Sequence, residues 1–360
     1  MSRSQTVDVQ QQGRALARAQ QVLRRHKRLV QVGVLALIIV FLGVSVSKSW
    51  AQLAGHPWHV QWGLLVAALS LLIAQELSYA VVWRAILARM GGRLDLLSSQ
   101  RIYLGAEFVR YIPGNVWHVI TRVLWAEQRG VPKSIGFASM IVELATKLAS
   151  GALVFAASLL FWPDTRGLLA GLPHGALVTA SALLIPLLLF GLYPRLLRGA
   201  LNTGLRRLGR APVRFTLTYA DVLLITLYWS LSWVVAGVGF YLLVQALIAA
   251  PLPATALPLA IGIYAIGWDI GFLAFVTPSG LGFREVALVF LLTQSQLVPL
   301  AAGAAVATVV AVVARLLATG AELICIAAAH VVRGAPSLPH PGTQGAEDLA
   351  ELAGQSGSQA

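Results

Sequence analysis

The chain has 360 residues, 58% of them hydrophobic and 11% charged, with a mean hydropathy of +0.76. Soluble domains carry about 25% charged residues, so this composition excludes a soluble globular protein and predicts an all-α polytopic membrane protein. Lys and Arg nevertheless outnumber Asp and Glu by 27 to 14, a formal net charge of +13, and the placement of those cations becomes the first question.

Residues 1–28 form a basic segment with seven Lys or Arg. They are expected to be a topology-setting flank or a surface helix on anionic lipid. The apolar run 29–47 is too long for a signal peptide core and lacks a small-residue cleavage site, so it reads as a retained first span. Further apolar segments long enough to cross a bilayer core follow near 62–83, 135–162, 175–193, 222–248, 255–276 and 300–332. Two shorter segments differ. Tyr103 to Trp125 contains Glu107, Arg110, Pro113, Gly114, Asn115, His118 and Arg122. Val276 to Thr293 opens with Pro278-Ser279-Gly280-Leu281-Gly282 and continues through Arg284 and Glu285. The tail 334–360, rich in Gly, Ser, Pro, Gln and Ala, is expected to be disordered and cytoplasmic.

Cytoplasmic loops retain Lys and Arg. Segments 1–28, 84–134, 194–221 and Arg333 hold 22 of the 27 basic residues, and one threading puts all of them on one side. In it, six full spans are joined by two re-entrant hairpins, 103–125 from the cytoplasm and 255–298 from outside, with both termini cytoplasmic. Counting 255–276 and 286–298 as two crossings satisfies the charge bias equally. The outer loops 48–61, 163–174 and 249–254 carry only Lys48, Asp164 and Arg166 among the acidic and basic residues. In the hairpin threading, 62–83, 103–125 and 135–162 form a triplet that 222–248, 255–298 and 300–332 repeat in opposite orientation. Inverted repeats with broken helices at the midplane are a recurring transporter design.

Ionisable side chains within the bilayer are functional candidates. Here they are Glu76, Glu143, Lys147, Asp269, Arg315 and Glu322, with Arg110, Arg122, Arg284 and Glu285 in the hairpins. Glu143 and Lys147, four apart on one helix, are placed to neutralise each other. Arg315 and Glu322 are two turns apart on one face. At each break a new helix would offer unpaired N–H groups and a positive dipole end to an anion. Arg110 and Arg122 add charge at the Pro113-Gly114-Asn115 break, and Arg284 at the Pro278/Gly280/Gly282 break. The expected site therefore takes a phosphate-bearing head group. Glu143, Glu285 and Glu322 would balance charge or bind a lipid amine, and Asp269 or a glutamate is a candidate for proton coupling.

The lone Cys325 excludes a disulfide framework. His118 and His330 lack partners at metal-ligand spacing, and the P-loop pattern is missing. No cofactor, metal or nucleic-acid partner is expected, and nothing sets an oligomeric state. The ten Trp are expected mainly as interface anchors.

At its two break motifs the sequence resembles the bacterial flippase-like membrane family typified by the transmembrane region of lysylphosphatidylglycerol synthase. The resemblance rests on Arg101, Tyr103, Tyr111-Ile112-Pro113-Gly114-Asn115-Val116-Trp117, Arg122, Glu127, Arg129-Gly130-Val131 and Glu143, and on Pro278, Gly280, Gly282, Arg284 and Glu285. It covers roughly residues 30–332 and implies a lipid-translocating module in the inner membrane. The synthase relatives carry a soluble aminoacyl-transferase domain after the membrane region, whereas a polar tail follows here, so lipid synthesis is not expected. The leading expectation is a lipid transporter that moves an anionic phospholipid or polyprenyl-phosphate lipid without ATP hydrolysis. The rival is an intramembrane glycosyl or phosphoryl transferase acting on a lipid phosphate.

Overall fold

The structure, a computed structural model, describes residues 60–109, 117–162, 173–207, 217–248, 251–274, 280, 282–295, 297–298 and 303–331. The expected basic N-terminal segment, the first span 29–47 and the tail 334–360 lie outside the described residues. The described residues form helices α1 (Trp62–Arg89), α2 (Leu96–Val109), α3 (Trp117–Glu127), α4 (Lys133–Ser158), α5 (His174–Gly191), α6 (Pro194–Arg207), α7 (Tyr219–Leu247), α8 (Ala256–Leu273), α9 (Phe283–Gln294) and α10 (Gly303–Val331). A 3-10 turn, Leu159–Phe161, extends α4. The chain is an all-α polytopic membrane protein. Among the described residues, five helical stretches are long and apolar enough to cross a membrane, namely α1, α4 with its 3-10 turn, α7, α8 and most of α10.

Helix starts are set by local chemistry. Asp95 caps α2, accepting from the Ser98 amide at 2.9 Å. The hydrogen bonds from Ser98 hold its carboxyl below the usual carboxylate range. Thr218 and Asp221 form a reciprocal capping box at the head of α7. Asp221 N donates to Thr218 Oγ1 at 3.2 Å, and Thr218 N donates to Asp221 Oδ2 at 3.0 Å.

The two break regions give short helices, as expected. Helices α2, α3 and α9 have 14, 11 and 12 residues. At a rise of about 1.5 Å per residue they reach only about 21 Å, about 17 Å and about 18 Å, well short of a bilayer core of about 30 Å. Helix α8 has 18 residues and by the same rise reaches about 27 Å. Two boundaries depart from expectation. The first hairpin begins at Leu96, earlier than 103, because Asp95 supplies a cap there. Helix α6 is an amphipathic basic helix, with Leu196, Leu197, Leu201 and Leu205 among Arg195, Arg198 and Arg206, where only a charged loop was expected.

The packing repeats. Within the first set α1 packs on α2, α2 on α3, α3 on α4 and α1 on α4; within the second, α7 on α8, α8 on α9, α9 on α10 and α7 on α10. Between sets, α4 packs on α7 and α8 as α10 packs on α1 and α2, while the counterparts α1 and α7 meet each other. Those two run antiparallel. Gln61 N donates to Ala246 O at 3.0 Å at one end, and Arg89 pairs with Asp221 at 3.1 Å at the other. The arrangement is that of the inverted repeat expected from topology. Two of the basic segments also meet on one face, where Arg89 of 84–134 pairs with Asp221 of 194–221.

Two apolar cores stack along the bundle. One takes Ala68 and Leu72 of α1 and Trp233 to Leu247 of α7 with most of α8 and α10. The other, toward the basic face, takes Tyr79 to Met90 of α1 and Val222 to Trp229 of α7. Most of the buried charges lie around the junction of these cores, near the middle of α1.

Candidate functional site

Arg122 of α3 is 2% exposed and Glu143 of α4 6%. The Arg122 guanidinium donates through Nη1 to Glu143 Oε1 at 3.3 Å and through Nη2 to Oε2 at 2.5 Å. Tyr103 of α2 adds a third bond, Oη to Glu143 Oε1, at 2.9 Å. The guanidinium also lies over the Tyr103 ring at 4.0 Å and the Trp83 ring at 4.6 Å, both within cation–π range. Trp83 is held in turn by its Nε1 donating to Ser139 Oγ at 3.0 Å. This cluster ties α1, α2, α3 and α4 together.

Glu143 thus has in Arg122 a partner that the i, i+4 spacing with Lys147 does not announce. Glu143 turns toward α3, and Lys147, one turn on, enters a cage of four aromatic rings. Its Nζ stands 3.6 Å from the centroid of Tyr79, 4.1 Å from Trp268, 4.9 Å from Trp229 and 5.8 Å from Trp233. Ring faces carry negative quadrupole potential, which is why such cages hold ammonium groups. The cage is itself braced, since Trp233 Nε1 donates to Ser150 Oγ at 3.0 Å and Trp268 stacks on Phe272. Asp269 on α8 also acts on Lys147 electrostatically. It is 3% exposed, and its Oδ1 has no hydrogen-bond partner among the described residues. Its carboxylate presses so closely on Gly151 that a Cβ there would overlap Oδ2.

The second break is built on two glycines. Gly280, at φ +68°, lies against the backbone of Gly271, whose carbonyl oxygen would overlap any Cβ at position 280. Only glycine meets both demands. Gly282, at φ +88°, precedes α9, and its N–H donates to Glu285 Oε2 at 2.7 Å. The other Glu285 oxygen faces Arg315 Nε at 3.9 Å. The protein's own carboxylate therefore occupies the positive end of α9, which the sequence motif alone leaves open to a ligand. Arg284 is in the opposite condition. It is 6% exposed, its guanidinium lies 4.9 Å from the Tyr264 ring and interacts with Glu285, and its Nε and Nη2 have no hydrogen-bond partner among the described residues.

Of the residues expected from sequence, Arg122 and Glu143 come together as an ion pair, as do Glu285 and Arg315. Lys147 stands in the aromatic cage and Arg284 beside Tyr264 and Glu285. Glu322 and Glu76 both stand near Cys325. Gly280 and Gly282 form the turn. Arg110, Pro113, Gly114, Asn115 and Pro278 lie outside the described residues. The aromatic lining was not expected: Trp83, Trp229 and Trp233 are fully buried against cations, not anchored at the interface. The spacing of Tyr79/Trp83 and Trp229/Trp233, four apart on counterpart helices, is the signal that could have shown it.

Residues 28–324 match the family model described as the lysylphosphatidylglycerol synthase TM region. No curated protein and no solved structure matches the chain. The match spans most of the sequence, and the chain belongs to the family of lysylphosphatidylglycerol synthase transmembrane regions.

Proposed function

We propose that this member of the lysylphosphatidylglycerol synthase transmembrane-region family is a transporter, not an enzyme. In this reading it moves an anionic phospholipid or a polyprenyl-phosphate lipid across the bacterial inner membrane without ATP hydrolysis, with its basic face and both termini in the cytoplasm. The family gives the reading its membrane-lipid setting. The observation that carries it is Arg284, a buried guanidinium with two unpaired nitrogens between α8 and α9. Glu285 and Tyr264 compensate its charge in part, but a buried donor left without an acceptor costs about 1–3 kcal/mol, and a phosphate oxygen on a passing head group supplies the missing acceptors in a charge-assisted, bidentate way. Lys147 in its aromatic cage adds a second cation among the buried charges. Arg122 has a supporting part in this reading, because Glu143 already holds it. The inverted repeat, with short helices meeting in the bilayer, suits a two-sided pathway.

The test is translocation of a fluorescent phosphatidylglycerol in vesicles containing the purified protein, followed by dithionite quenching. Arg284→Gln is expected to slow translocation at least about tenfold, the scale of one charge-assisted contact, while leaving the melting temperature near that of the parent. Addition of polyprenyl phosphate as competitor separates the two lipid classes. Parental rates in Arg284→Gln would sink the assignment.

A further inference from the structure

We infer that the groove between α1 and α7 is a lateral binding site for an anionic phospholipid from the leaflet on the Arg84 side. The inference rests on the transporter reading above and extends it to a place on the outside of the bundle. The groove holds about 560 Å³ and is lined on α1 by Gln75, Ser78, Val81 and Arg84, and on α7 by Tyr228 and Ser232. That volume falls within the roughly 300–1,000 Å³ of small-ligand sites. Its outer side is open, so the rest of a lipid remains in the bilayer.

Three observations point to the occupant. First, Gln75 is 3% exposed, lines the groove, and its Nε2 has no hydrogen-bond partner among the described residues. A buried amide donor without an acceptor costs about 1–3 kcal/mol, and an ester or phosphate oxygen would satisfy it. Second, the groove spans one leaflet. Gln75 lies near the middle of α1, and Arg84, nine residues on, is displaced by about 13 Å toward the basic face at the ordinary helical rise. Arg84 Nε donates to Leu94 O at 2.9 Å, which holds the guanidinium at the rim, where an anionic head group resides. Third, the groove and the lysine cage share a wall. Ser78 Oγ and Ser232 Oγ bond across the seam at 2.9 Å, and their chain neighbours Tyr79 and Trp233 are cage rings. The hydroxyl pair closes the seam between groove and cage.

The experiment reconstitutes the full chain in vesicles of phosphatidylcholine containing a trace of phosphatidylglycerol with a photoactivatable diazirine on one acyl chain, and maps the adducts by mass spectrometry. Parallel vesicles carry diazirine phosphatidylcholine. Phosphatidylglycerol is expected to label peptides covering 74–88 and 228–235 in preference to phosphatidylcholine. Arg84→Gln, at an exposed position, is expected to remove that preference, and Gln75→Leu to lower labelling about fivefold. Labelling spread evenly over the outer faces of α5 and α10, equal labelling by both lipids, or labelling indifferent to both substitutions would overturn the inference. The two readings fail separately. A labelled groove in a protein that translocates nothing keeps the site and removes the transporter, whereas translocation without groove labelling keeps the transporter and removes the site.

Discussion

The Arg122–Glu143 pair makes a quantitative prediction about what holds the first hairpin to the bundle. Both side chains are more than nine-tenths buried, and breaking a buried pair from one side costs about 3–5 kcal/mol because the survivor stays charged and desolvated. The two sides are not equivalent. Glu143→Ala leaves Arg122 over the rings of Tyr103 and Trp83. Each such cation–π contact is worth up to about 2 kcal/mol when desolvated. Arg122→Ala leaves a carboxylate with the Tyr103 hydroxyl. The expected costs are therefore about 3 kcal/mol for Glu143→Ala and about 5 kcal/mol for Arg122→Ala. The double variant should cost about 2–3 kcal/mol less than the sum. Unfolding free energies in detergent, followed by intrinsic fluorescence, measure the cycle. Additivity within about 0.5 kcal/mol, or a larger loss for Glu143→Ala than for Arg122→Ala, would refute the reasoning.

Gly151→Ala presses a methyl group onto the Asp269 carboxylate and is expected to destabilise the protein by about 1–3 kcal/mol through overpacking. In an Asp269→Ala background the same change should cost almost nothing, as a melting-temperature comparison of the four variants would show. Gly280→Ala meets both a left-handed backbone and the Gly271 carbonyl. It should lower the yield of folded protein on size-exclusion chromatography, and Gly280→Asn should not restore it, because the side chain still needs the space.

Much of this is legible in the sequence for reasons that can be named. Segments such as 62–83 and 222–248 are long and apolar, and bilayer thickness leaves a helix little choice. The two Pro-Gly breaks announce short helices, and the opposed triplets announce the inverted repeat. Partner choice is harder to read. Spacing places Glu143 beside Lys147, but spacing along one helix says nothing of the fork of Arg122, which reaches the carboxylate from another helix with two bonds. Lys147 has its counter-charge partly in ring faces, which carry no formal charge and so escape a count of acids and bases. The free dipole end expected at α9 is cancelled by Glu285, three residues past Gly282, a spacing visible as a capping pattern. Helix α6 is hidden by its arginines, which outweigh its leucine spacing.

The close approaches of α8 have a mechanical consequence. A Cβ at Gly237 of α7 would strike Ile261, one at Gly262 of α8 would strike Ser158 of α4, and Gly271 is pressed by Gly280. Helix α8 is thus keyed on three sides by contacts that leave no room for a methyl group. Sliding or rotating it would drive its backbone into α7 and the turn before α9 and against the Ser158 side chain of α4, so α4, α7, α8 and that turn should travel as one rigid block. In the other half, α1 is tied to this block where Gly239 of α7 approaches the Ala68 carbonyl, and Gly105 of α2 meets the Trp125 ring of α3; the attachments of α2 and α3 described above, the Arg122–Glu143 pair and the Tyr103 and Trp83 rings, are side-chain contacts that can re-form in a new register. The two halves share a packing plan but not a stiffness, and any opening of the bundle is expected to be carried by α2 and α3 moving against a fixed frame.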